Sequence, residues 1–189
     1  MTPTERARAA PHPGASRSAG VPAGSAPSPV LPGTRYARAL SRGERLVLDA
    51  ARAWVLAFRG RRSPLAAVQA RLGPAGLAEG GEGLSDLLYT TAAAATRPVD
   101  VRCVRCSMLS PDEMRLLAAV ERMQSGRPYF AHRHLGDWLA GAARRAAVAA
   151  AARLAHACAA AGLTLPARDW PLPGPRRCVT GSTDPDVPG

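Results

Sequence analysis

Ser110-Pro111-Asp112-Glu113-Met114-Arg115-Leu116-Leu117-Ala118-Ala119-Val120-Glu121-Arg122-Met123-Gln124 carries a complete helix-start signal that runs directly into a helical apolar stripe. Ser110 can accept a hydrogen bond from an unpaired amide of the first turn. Pro111 takes the first helical position, where a missing N–H costs nothing, and Asp112 and Glu113 place negative charge at the positive end of the helix dipole. Glu113, three residues after Ser110, completes a capping box. Leu116, Leu117, Val120 and Met123 then share one face and leave Arg115, Glu121 and Arg122 to solvent. One side of this helix must be buried.

The same logic extends outward in both directions. Leu40, Val47, Ala51, Trp54, Val55 and Phe58 fall near one face, with Arg45, Asp49, Arg52 and Arg59 mostly elsewhere, which predicts a helix from Glu44 to Phe58 that Gly43 interrupts at its start and Gly60 stops. Ser63-Pro64 repeats the cap-plus-proline start and opens a short helix through Leu72, ended by Gly73-Pro74. A third helix is expected from Leu84 or Ser85 to Ala95, with Pro98 as terminator. The alternation Val99-Asp100-Val101-Arg102-Cys103-Val104-Arg105-Cys106 has period two and reads as a short extended or β-like segment over 98–106 that lacks a convincing partner strand. Ser125-Gly126-Arg127-Pro128 reads as a loop. One long final helix is expected from Leu135 to Ala161, its inward face formed by Leu135, Trp138, Leu139, Ala142, Ala146, Ala149, Leu154, Ala157 and Ala161. The small residues of that face allow close approach of a neighbouring helix.

The resulting expectation is an all-α domain over 36–163, a single bundle of four to five helices. Residues 1–34, dominated by Ala, Pro, Ser, Gly and Thr, cannot bury enough apolar surface to offset the entropy of ordering and read as disordered. Residues 164–189 read as a Pro-rich tail from which Leu165 and Trp170, after Leu163, can pack back onto the domain.

The formal net charge is +11, and every one of the 25 basic residues is arginine. Abundant Ala, Gly and Pro alongside arginine without lysine is what GC-rich coding produces, so the charge alone argues weakly for a nucleic-acid partner. The excess is also diffuse: four Arg against one acid in 1–35, eleven against six in 36–109, seven against four in 110–163, and three against three in 164–189. The tightest cluster, Arg59, Arg61 and Arg62, sits where cations meet the negative end of a helix dipole, with no interleaved aromatic platforms for bases. No segment has the roughly 18 uninterrupted apolar residues of a membrane span. No secretory signal is visible, so the expected setting is cytoplasmic, with no membrane partner.

The sharpest chemical constellation is Cys103-Val104-Arg105-Cys106 with His132-Arg133-His134. Two thiolates spaced by two residues can chelate one zinc, and one or both imidazoles would complete a tetrahedral site, provided an extended backbone aims them together. Within a helix the two imidazoles diverge by roughly 200 degrees. A redox role for the pair lacks an activating helix N-terminus, and no disulfide framework is expected. Cys158 reads as a core residue. His134 near Asp137 is the one arrangement resembling an oriented base, but no nucleophile elbow or phosphate loop frames it, and the glycines of 73–83 follow no strand. The reading that follows is a non-catalytic helical module that binds another protein or itself. The alternative is a zinc-containing nucleic-acid-binding protein with Cys103, Cys106, His132 and His134 as metal ligands.

Overall fold

A computed structural model describes residues 31–170: of the expected disordered stretch 1–34 and tail 164–189, residues 1–30 and 171–189 lie outside the described residues, whereas Leu31–Pro32 and Arg168–Asp169 are paired with each other. In chain order the elements are β1 (Leu31–Pro32), α1 (Arg42–Arg59), α2 (Pro64–Leu72), α3 (Ala78–Ala94), α4 (Pro111–Gln124), α5 (Pro128–Leu135), α6 (Gly141–Ala160) and β2 (Arg168–Asp169). Short 3-10 turns at Ala37–Ala39 and Gly73–Ala75 link them. The class is all-α. The sixth helix beyond the expected four to five is α5, opened by Pro128 at its first turn.

The quoted stretch folds as its caps require. Ser110 Oγ accepts the Glu113 amide at 3.0 Å while the Glu113 carboxylate accepts the Ser110 amide at 2.9 Å. The α2 helix matches the expected bounds, with Ser63 Oγ accepting the Ala66 amide at 3.3 Å. Helix α1 begins earlier than expected because Ser41 and Glu44 form a second capping box, and Gly43 lies inside the first turn rather than breaking it. The anchors Trp54, Leu117 and Trp138 are all buried in one cluster with Leu48, Leu84, Leu116, Leu135 and Leu154.

Helix α3 starts six residues before the expected Leu84, taking in three glycines. Glycine is a poor helix former, costing about 1 kcal/mol against alanine, so packing must hold this turn. It does: a Cβ on Gly83 would sit 2.9 Å from the Ala150 carbonyl oxygen of α6, and one on Gly80 would sit 3.1 Å from the Ala157 Cβ. The glycines of α3 are therefore the recess into which the alanine face of α6 fits.

One expectation is corrected and another is met in its extended form. The long final helix is broken at 136–140, and the break shifts the phase of everything after it. Ala147, Ala150, Ala151, Leu154, Ala155 and Cys158 point inward, while Ala142, Ala146, Ala149 and Ala161 are exposed. The break has a polar cause. The Trp138 carbonyl accepts the Thr96 amide at 2.7 Å and the Trp138 indole donates to Asp112, which pulls this turn out of helical register. The period-two segment at 98–106 is extended, as expected, and pairs with no strand of a sheet. Two of its amides are spent on side chains, Asp100 N–H donating to Asp112 at 2.8 Å and Arg102 N–H to Glu113 at 3.0 Å, and Cys106 N–H turns back to the Cys103 carbonyl. The alternating pattern nonetheless describes an extended strap, 95–109, touching 35–37 through one isolated antiparallel bridge between Tyr36 and Met108.

The C-terminal described residues belong to the domain. β2 pairs in parallel with β1, Leu165 and Trp170 are buried, and the Arg168 guanidinium lies inside. Among the described residues no helix is long and apolar enough to cross a membrane.

Candidate functional site

Three buried carboxylates each gather more donors than a helix cap requires, and two of them, Glu113 and Asp112, fix the strap to the helices. Glu113 is fully buried and accepts Arg52 Nε at 2.7 Å and Arg52 Nη2 at 3.0 Å, besides the amides of Ser110 and Arg102. The same guanidinium reaches the strap backbone, Nη1 donating to the Cys106 carbonyl at 2.7 Å and Nη2 also to the Met108 carbonyl at 3.0 Å. A buried charge is tolerated only when paired and fully hydrogen-bonded, and this fork meets both conditions.

Asp112 forms the second cluster. It accepts Arg97 Nη2 at 2.6 Å, Arg115 Nη1 at 2.7 Å, the Asp100 amide and the Trp138 indole N–H at 3.1 Å. Asp137 in turn receives Arg97 and Arg115. Burial alone would raise the Asp112 carboxyl, but the Arg97 hydrogen bonds, the Asp100 amide and the Trp138 indole outweigh it and hold the group at about 2. The same Asp112 bonds hold Arg97 firmly protonated. The third carboxylate, Glu44, takes the Arg168 fork at 2.5 and 2.8 Å, while Arg168 Nη2 also donates to the Ala39 carbonyl at 2.9 Å. Reading Asp112 and Glu113 as cap and dipole partners is right as far as it goes, but misses the guanidiniums that bind them.

Between α1, α3 and the clamped strap runs an open groove of about 540 Å³ whose floor includes Trp54, Leu88, Thr91, Val99 and Val101, with Arg59 and Arg97 also on its walls. Trp54 is buried and donates its indole N–H to Ser85 at 3.1 Å, which fixes its ring. Phe58 stacks on that ring at 4.9 Å, and Tyr89 meets it edge-on at 4.9 Å. Phe58 and Tyr89 remain 46% and 43% exposed, and Leu56 on the same helix is 53% exposed. The expectation that Phe58 fills the core is thus only half met: it covers Trp54 and turns its other face outward. A smaller hollow of about 340 Å³, lined by Leu56, Val104, Arg102 and Arg105, continues the groove along the strap and shares Val55, Arg59 and Val101 with it.

The four proposed metal ligands are not brought together. Cys103 and Cys106 are joined to each other as a disulfide across a tight turn, Cα atoms 5.3 Å apart, which corrects the expectation of unpaired thiols. Their spacing suits such a bond as well as it suits a metal. His132 and His134 both lie in α5, two residues apart on a helix, the arrangement that turns imidazoles away from one another. His134 is buried and lines one small hollow with Arg122, Phe130 and Trp170. Burial pushes its imidazole down to about 4, helped by the Arg122, Arg115 and Arg133 cations, so it is neutral at physiological pH. Among the described residues no three His, Cys, Asp or Glu side chains gather as a metal-holding set. Cys158 is buried in α6, and burial pushes its thiol up to about 11.

Sequence reasoning missed Arg52, Arg97 and Arg168. Arg52 alone left a trace: it sits four residues after buried Leu48 and inside the run Ala50-Ala51-Arg52-Ala53-Trp54, where a solvent-facing arginine is out of place. No family model, no curated protein and no solved structure matches the chain.

Proposed function

We propose that the chain is a non-catalytic helical module that receives an acidic, amphipathic segment of another protein along the groove between α1, α3 and the strap. The observation that carries this reading is the aromatic trio, in which a rigidly held Trp54 presents Phe58 and Tyr89 half out of the surface beside an apolar floor. Half-exposed aromatics around a concave apolar surface are the anchors of protein interfaces rather than ordinary surface decoration. Charge selects the partner's character. Arg59, Arg102 and Arg105 line the groove and its continuation, whereas Arg97 is already paired with Asp112 and Asp137 and Asp100 is the acid on the neighbouring strap. Leucine or aromatic anchors at helical spacing would sit over Trp54 and Leu88, and acidic residues between them would face the guanidiniums.

The test is to pan a phage-displayed peptide library against the full chain, with Phe58→Ser as the counter-selection. The expected enrichment is for peptides with Leu, Phe or Trp every three or four residues, interspersed with Asp and Glu, that fail to bind the variant. Enrichment of basic peptides, or of peptides that bind both proteins equally, would overturn the reading. Salt-sensitive binding of a generic DNA or RNA oligonucleotide, lost when Arg59, Arg61 and Arg62 are neutralised, would favour the nucleic-acid alternative instead.

A further inference from the structure

The hollow of about 340 Å³ that continues the groove along the strap is lined by Cys103 together with Arg52, Arg59, Arg102 and Arg105, and by no acid. Two of those cations are already spent. Arg52 is held in the Glu113 fork, and Arg102 lies 3.9 Å from the exposed Asp100 carboxylate. Arg59 and Arg105 are exposed, and neither belongs to an ion pair among the described residues. One sulfur of the disulfide thus shares a concave surface with two uncommitted guanidiniums.

The fold does not need that disulfide to hold the strap in place. It joins residues three apart, and the chain entropy removed by a cross-link grows with the length of loop it closes, so its contribution to stability is small. Asp112 and Glu113 already bind the strap amides on one side, and Arg52 binds the Cys106 and Met108 carbonyls on the other. The two half-cystines also differ in access, Cys103 being exposed and Cys106 half-buried. Exchange requires a sulfur that an incoming thiolate can reach, and neighbouring positive charge favours the thiolate form. No helix N-terminus activates this pair; the guanidiniums around the hollow supply the positive charge instead. They also select the incoming group, since a carboxylate-bearing thiol is attracted where a cationic one is repelled.

We propose that the Cys103–Cys106 pair is a thiol–disulfide exchange site for a small anionic monothiol of the glutathione class, its carboxylates received by Arg59 and Arg105 while its sulfur reacts at Cys103. The incoming thiolate attacks Cys103 Sγ. The Cys103–Cys106 bond breaks as the mixed disulfide forms, and Cys106 leaves as a thiolate that takes its proton from water. A second thiolate attacks the small-molecule sulfur of the mixed disulfide and frees Cys103. Two thiols are thereby oxidised to one small disulfide, and the protein pair is reduced by the same two electrons. The reverse sequence, driven by the small disulfide, closes the pair again. This chemistry does not require that the groove bind a peptide.

The test uses the full chain carrying Cys106→Ser, in which Cys103 has lost its resolving partner and the mixed disulfide accumulates. The reduced protein is treated separately with oxidised glutathione, neutral hydroxyethyl disulfide and cationic cystamine. Addition at Cys103, Cys158 and Cys178 is counted by peptide mapping, and each rate is divided by that of a neutral reference thiol. The expected result is a normalised rate at Cys103 about tenfold or more higher for glutathione than for cystamine, a preference that shrinks at high salt. The preference should be lost when Arg59→Gln and Arg105→Gln are added. Both arginines are exposed, so these substitutions leave the fold intact, which thermal unfolding checks. Equal normalised rates, a preference for cystamine, a glutathione preference that survives both arginine substitutions, or a Cys103 that none of the three modifies would each overturn the proposal. The wild-type chain gives a second reading without any variant. Buffers of varied reduced-to-oxidised glutathione ratio should move the pair reversibly between dithiol and disulfide. A pair that stays oxidised in millimolar reduced glutathione, or that oxidised glutathione fails to close again, would contradict the assignment.

Discussion

Two capping boxes in this molecule are built alike and do different work. In the first, Ser110 and Glu113 open α4, and the Arg52 fork closes on Glu113 from α1, 61 residues away, before reaching on to the Cys106 and Met108 carbonyls. In the second, Ser41 and Glu44 open α1, and the Arg168 fork closes on Glu44 from 124 residues away before reaching the Pro32 and Ala39 carbonyls. In both, a helix-start glutamate that needs only one backbone amide has been given a buried guanidinium, and the spare N–H groups of that guanidinium hold an irregular segment. The difference is enclosure. Glu113 also accepts the Arg102 amide and lies between α1, α4 and the strap, whereas the Arg168 device ties down the two-residue pairing of β1 and β2 at the edge. The first makes one wall of the groove. The second keeps the ends of the described chain against the core.

The largest expected effect breaks that symmetry directly. Removing one member of a buried ion pair strands the other, so Glu113→Gln should cost about 3–5 kcal/mol in chemical denaturation. Glu44→Gln should cost less, about 2 kcal/mol, because the short terminal pairing can open locally and rehydrate Arg168. Equal losses would mean that enclosure does not distinguish the two sites.

Acid should reach the two ends of the molecule in different pH ranges. His134 packs with Trp170 beside the second box, and its folded pKa of about 4 lies below the ordinary 6.5. The unfolded chain therefore takes up the proton first, and stability falls by about 3 kcal/mol between pH 6.5 and 4 and then levels with respect to this group. Asp112, beside the first box, has a folded value of about 2 against 3.8. Its contribution of about 2 kcal/mol is fully present above pH 4 and is lost as pH falls toward 2. Urea denaturation across this range should show the upper decline flattened in His134→Gln and the lower one reduced in Trp138→Phe. Loss of both slopes in one variant would contradict the assignment.

Smaller effects sharpen the contrast between polar staples and packing. Gly83→Ala places a Cβ against the α6 backbone and should destabilise by about 1–2 kcal/mol despite alanine's better helix propensity, while Gly81→Ala displaces only the Gln69 side chain from its bond to the Ala78 carbonyl and should cost less than Gly83→Ala. Arg97→Gln should cost about 1 kcal/mol or less, because Arg97 is partly solvated and Asp112 keeps its bonds to Arg115, Asp100 and Trp138. Thermal melts of the three variants decide both points.

What could be read beforehand follows from how local each signal is. The Ser110 cap, the Ser63-Pro64 start and the burial of Trp54, Leu117 and Trp138 depend on neighbours a few residues away, and all were legible. The Ser41–Glu44 box carries the same local signature, but the glycine at 43 obscured it. The run of glycines in α3 hid a helix whose stability comes from α6. The break at 136–140 is set by Thr96 and Asp112, and losing it put the alanine face of α6 out of phase. The extended course of the strap was legible because alternation records an extended backbone, but alternation does not say whether its amides meet another strand or a carboxylate. The candidate groove and the small hollow were not legible at all, since Arg52, Arg97, Arg168 and His134 acquire their roles only through partners far along the chain.

The claim that the strap is a fixed wall rather than a free loop is tested most directly by native-state amide hydrogen exchange at Asp100 and Arg102, whose N–H groups point into Asp112 and Glu113. The account expects both amides to exchange as slowly as the middle of α4, with Arg102 released in Glu113→Gln while α4 stays protected. Exchange of Asp100 and Arg102 at the rate of an unstructured peptide in the wild-type chain would contradict it.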